Sequence, residues 1–85
     1  MNKLMAEMRY NKASNSYENG KAEIARAIQR AKLSILAAEH QLELGSIPVA
    51  NLEQAQKCIG LAVHESERLA IYEEAMKFYG EVAIA

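Results

Sequence analysis

The chain has 85 residues, is 51% hydrophobic and 25% charged, and carries a formal net charge of −1. That describes one small globular domain, near the lower limit at which a single core supports itself, rather than a disordered chain. Ten basic residues against eleven acidic ones leave no basic excess for nucleic acid. The one cysteine cannot form an internal disulfide, and with two histidines it cannot complete a four-ligand zinc site. The opening MNKLMAEMRYNK lacks the apolar run of a signal peptide, and stretches such as Ile35–Ala38 are far too short to span a bilayer. The expectation is a soluble, cytoplasmic single domain over 1–85, with no nucleic-acid or membrane partner.

In chain order, Leu4, Met5 and Met8 share one face of Lys3–Tyr10 and predict a short helix at about 3–10. Asn11–Gly20 (NKASNSYENG) is rich in residues that favour turns and caps, so 1–20 reads as that helix plus a polar linker. From about 21 to 44 helix formers dominate, and Ile24, Ile28, Ala31, Ile35, Ala38 and Leu42 keep the four-three alternation of a heptad seam. Leu44–Asn51 is a break. Gly45 suits the left-handed residue that closes a helix, Pro48 is the only proline, and Asn51 with Gln54 forms a capping-box pattern. The second arm, about 51–83, carries Leu52, Ala55, Ile59, Ala62, Leu69, Met76 and Ala83 on similar spacing. Where Ser66, Glu73 and Gly80 interrupt that register, the stripe drifts onto Tyr72 and Tyr79.

Helices joined by so short a link must run antiparallel. The expected fold is all-α, a long antiparallel helical hairpin (about 21–44 and 51–83) with a short N-terminal helix. That helix would cover a ~13 Å overhang of the second arm. The pairing sets Lys21 level with Glu74 and Arg30 with Glu65, each surface pair worth about 0–1 kcal/mol. Leu33, Leu36 and Leu44 on one arm, and Ile71, Ala75, Phe78 and Val82 on the other, lie outside the seam. Most of this surplus is expected far from Pro48. It predicts a helical-bundle homo-oligomer or a protein partner.

Few residues can carry chemistry. His40-x-x-Glu43 and His64-x-x-Glu67 reverse the Glu-x-x-His order of di-iron bundles, and they lie too far apart to share a metal within one chain. Assembly across subunits is the remaining route. Cys58, beside Lys57, fits the edge of the apolar stripe and lacks an orienting group and an oxyanion site. The chain has no aspartate and no phosphate-cradling loop, and its glutamates fall on solvent arcs. No enzyme and no cofactor is expected. Over eight residues, Tyr72–Tyr79 (YEEAMKFY) resembles the second helix of a tetratricopeptide repeat. The turn that precedes that helix in the repeat is missing, so the likeness implies a shared way of packing a small Ala75 with a large Tyr79.

All five aromatic residues fall at the end away from the bend, where Lys21 and Arg26 begin the facing arm. Tyrosine and arginine dominate binding hot spots. The candidate partner- or ligand-binding residues are therefore Tyr10, Tyr17, Lys21, Arg26, Ile71, Tyr72, Phe78, Tyr79 and Val82. In the competing reading the aromatics are a plug that seats the N-terminal helix. The expected function is a non-enzymatic interaction module, an adaptor, inhibitor or co-chaperone like those of bacterial and phage genomes, acting by surface occupation. One alternative is an oligomer that binds a small anionic, nucleotide-like ligand between subunits. The other is a metal-binding oligomer using His40, Glu43, His64 and Glu67.

Overall fold

A computed structural model describes residues 2–84 as two helices, α1 (Lys3–Glu43) and α2 (Val49–Ile84), packed antiparallel. Asn2 starts α1 by accepting the Met5 backbone N–H on Oδ1 at 2.8 Å, which satisfies one of the free donors of the first turn. The helix then runs without a break to Glu43, straight through the segment expected to be a linker. There is accordingly no separate helix at 3–10, and the architecture is two helices rather than three. The reason lies in phase. Asn11, Asn15 and Asn19 point away from α2, while Ala13, Tyr17 and Gly20 keep the seven-residue repeat facing it. Packing of that face outweighs the weak local preference of the polar residues for turns.

The bend is compact. Gly45 adopts φ +83°, its N–H bonds Leu42 O at 3.0 Å and the Ser46 N–H bonds Gln41 O at 2.8 Å. Those two bonds are the Schellman closure that only a residue comfortable in the left-handed region allows. α2 begins three residues earlier than the capping-box pattern suggests. The buried Pro48 supplies the first helical acceptor, to the Leu52 N–H at 3.0 Å. Asn51, one turn inside, instead donates from Nδ2 to Gln41 Oε1 at 2.7 Å across the hairpin.

The seam between the helices is small-sided. On α1 the residues facing α2 are Ala6, Tyr10, Ala13, Tyr17, Gly20, Ile24, Ala27, Ala31, Ser34, Ala38 and Gln41, a three-four alternation over the whole helix. On α2, Ala55, Cys58, Ala62, Glu65, Leu69, Tyr72, Met76, Tyr79 and Ala83 answer them. Among the described residues the most deeply buried side chains are alanines and Cys58, and no large side chain is fully enclosed. The seam expected from the sequence is therefore rotated by about one position. Ile28, Ile35 and Leu42 of α1, and Leu52 and Ile59 of α2, lie outside it and are exposed. Alanine at the contact lets two backbones approach closely, and dispersion over that long, tight contact replaces the deep burial of a few large residues.

Register follows the same logic. A Cβ on Gly20 would stand 2.5 Å from Leu69 Cδ2, and one on Gly80 would stand 3.4 Å from the Tyr10 ring. Each glycine thus receives a large residue from the opposite helix. This setting displaces Lys21 from Glu74 and Arg30 from Glu65. Among the described residues the ion pairs join neighbours one turn apart on the same helix: Lys21–Glu18, Arg26–Glu23, His40–Glu43 and Arg68–Glu65. Shape fit over the seam outweighs exposed pairs worth about 0–1 kcal/mol. The first helix is also the longer, 41 residues against 36, so α2 has no overhang to be covered.

The result is a rod 64 Å long and 14 by 12 Å across, with a radius of gyration of 19.0 Å. A compact domain of this length has about 12 Å. No helix among the described residues is long and apolar enough to cross a membrane.

Candidate functional site: the outer flanks of the hairpin

The heptad that places small residues inside pushes large apolar residues out, onto two flanks. One flank runs beside the bend. Ile28 and Ile35 from α1 and Leu52, Ile59 and Val63 from α2 line an open apolar groove there with Ala31, Ala55 and Ala62, and Leu42, also exposed, continues the α1 row. The other lies at the open end. Ile71 and Phe78 are 66% and 57% exposed there, with the half-buried Val82 on the same face of α2. Among the described residues, twelve of the eighteen exposed large apolar side chains fall between Ile28 and Val63. The surplus is thus concentrated toward Pro48 rather than away from it. Sequence inspection placed it at the far end because Ile28, Ile35, Leu52 and Ile59 had been assigned to the interior.

The aromatic cluster separates into two kinds of residue. Tyr10, Tyr17, Tyr72 and Tyr79 stand in the seam, half-buried, and form the interior of the open end. Three of them carry a cation on the outside: Lys21 Nζ lies 5.2 Å from the Tyr17 ring centre, Arg9 5.8 Å from Tyr79 and Arg68 5.8 Å from Tyr72. Such contacts contribute about 0.5–1 kcal/mol at exposed sites. Phe78 alone turns outward, its ring edge-on to Tyr79 at 5.1 Å and 76°. The tyrosines thus take part in packing the two helices together. No N-terminal helix is present for them to seat, and Leu4, Met5 and Met8 are themselves exposed rather than folded over Ile71, Phe78 and Val82.

Arg68 is the most constrained charge. It donates to the Tyr72 hydroxyl at 2.8 Å and to Glu65 Oε1 at 3.1 Å. The Tyr72 hydrogen bond, reinforced by the Glu65 carboxylate, raises its pKa. Lys21 and Arg26, five residues apart, point to different sides of α1 and are already paired with Glu18 and Glu23. They do not converge on one anion. The groove closest to them is lined by Glu23 and Glu65 beside Arg68. His40 and Glu43 are exposed and 3.9 Å apart, and among the described residues no three His, Cys or Glu gather as metal ligands. Cys58 is buried in the seam at 2% exposure, packed as a small apolar residue.

The signal that would have found the true seam was present in the sequence. Ala6, Ala13, Gly20 and Ala27 recur every seven residues, as do Tyr10 with Tyr17 and Tyr72 with Tyr79. No protein-family model matches the chain, and no curated protein or solved structure matches it either.

Proposed function

We propose that the protein is a non-enzymatic interaction module, an adaptor, inhibitor or co-chaperone that works in the cytoplasm by occupying another protein's surface. The observation that carries this reading is the inverted distribution of size, with alanine and glycine inside and isoleucine, leucine and phenylalanine outside. A contiguous apolar flank on a small protein marks an interaction surface. Apart from Cys58, Glu65 and the half-buried tyrosines of the seam, the ionisable side chains lie along exposed helix flanks. A thin, straight, alanine-packed rod is a rigid presenter of two helix faces, and rigidity lowers the entropic cost of binding.

The open-end flank is the surface for a foreign protein. Ile71, Phe78 and Val82 form its apolar stripe, with Arg9 and Lys12 along the α1 side and Glu74 and Glu81 along the outer side of α2. It suits an amphipathic helix whose charged edges run in the opposite order. Phe78 is its anchor, since it is the aromatic side chain left free of the seam. Capture from a cell extract with Phe78→Glu beside the unaltered protein tests this. Phe78→Glu should keep its helical circular dichroism and lose a defined partner. Capture of the same proteins by both would refute the assignment.

A further inference from the structure

The bend-proximal flank is a different surface, and we infer that its occupant is a second copy of this chain, joined face to face in a two-fold dimer that completes a four-helix bundle. The inference rests on reading the chain as an interaction module with an uncovered apolar face, and it adds which face is used and by what.

Area is the first argument. The chain exposes 6303 Å², whereas a compact monomer of 9.4 kDa exposes about 5,000 Å². The hairpin thus carries roughly 1,300 Å² more than its mass calls for, while each partner in a stable interface gives up about 800 Å². The excess is more than one interface with a second copy needs.

The second argument is the shape of the face. Ile28, Ile35 and Leu42 stand seven residues apart on α1, and Leu52 and Ile59 do the same on α2, with Val63 one turn on. The two rows lie side by side across the groove in which Ile35 and Ile59 meet both ends. The face is therefore two helices wide and about 21 Å long, counting 1.5 Å per residue from Ile28 to Leu42. A surface of two matched apolar rows is self-complementary under a two-fold axis, as an isologous interface requires. A second hairpin presents two rows to it; a single helix would fill the groove and leave the outer edges of both rows wet.

Charge is consistent with the same partner. Lys32 borders the groove from α1, Glu53 and Glu67 border it from α2, and among the described residues none of the three has an ion-pair partner in the chain. A two-fold axis that sets α1 of one copy on α2 of the other offers each Lys32 a carboxylate of the opposite copy. The net charge of −1 opposes association very little.

Sedimentation equilibrium of the pure protein over a dilution series decides the matter. The expected mass is twice the 9.4 kDa of the chain, falling toward one chain on dilution. Ile35→Glu should remain helical and raise the dissociation constant roughly thirtyfold or more, the hot-spot threshold. Phe78→Glu, on the other flank, should leave the dimer intact. A single-chain mass at every concentration, or an Ile35→Glu protein as dimeric as its parent, overturns the inference. If Ile35→Glu does not fold, the thermal midpoint of the unaltered protein decides: a dimer's rises with concentration and a monomer's does not. Failure here leaves the Phe78 capture experiment untouched, so the two readings fall separately.

Discussion

The two halves of the hairpin follow one heptad and solve its packing differently. Beside the bend, Ala27, Ala31 and Ala38 face Ala55, Cys58 and Ala62, small against small. At the open end, large residues alternate with glycines, Leu69 seated on Gly20 and Tyr10 on Gly80. Small-on-small packing brings the backbones close and leaves most large apolar side chains on the flanks, which is why most of the exposed large apolar residues are at the bend. Large-on-small packing keeps the tyrosines half inside and lets cations cap them. The first half depends on small residues at its most buried positions, and the second on the missing side chain of glycine at two positions.

Substitutions should expose that contrast in graded fashion. The largest effect belongs to the bend half. Ala38 is 3% exposed in the seam, so Ala38→Leu forces the helices apart and should cost about 1–3 kcal/mol in chemical denaturation. An unchanged midpoint would mean the seam is not tight there. Next comes the closure of α1, where Gly45→Ala places a side chain at φ +83° and should cost about 1–2 kcal/mol in the same measurement. The smallest effect is the most discriminating. Gly60 has open space where a Cβ would go, whereas Gly20 has Leu69 at 2.5 Å. Gly60→Ala should therefore stabilise by about 0.5–1 kcal/mol through helix propensity, and Gly20→Ala should lose that gain to the clash. Equal gains at the two glycines would contradict the register.

The hairpin itself was readable from residues. Gly45 and Pro48 mark the bend, and the helix-forming composition on either side leaves no other arrangement. Asn11–Gly20 looks like a linker only if its polar residues are weighed one by one; their phase leaves Ala13, Tyr17 and Gly20 on one face, and tertiary packing needs only that face. The seam was assigned to the biggest apolar residues because burial of large side chains is the usual source of stability. Here the row of alanines one position away is the inner one, and Ile28 and Ile35 are displaced to the outside. Of the candidate site, Ile71 and Phe78 were found where a partner could reach them, and Val82 lies half-buried beside them. The four tyrosines, equally prominent in sequence, are half-buried in the seam, and Lys21 and Arg26 are engaged on their own helix.

The central claim is that small residues form the interior and fix the alignment of the helices. Nuclear Overhauser contacts between the Leu69 methyls and the Gly20 α-protons, and between the Tyr10 ring and the Gly80 α-protons, test it most directly. The account predicts strong cross-peaks for both pairs. Silent glycines, with Lys21 lying level with Glu74 instead, would show that the large apolar rows are inside after all.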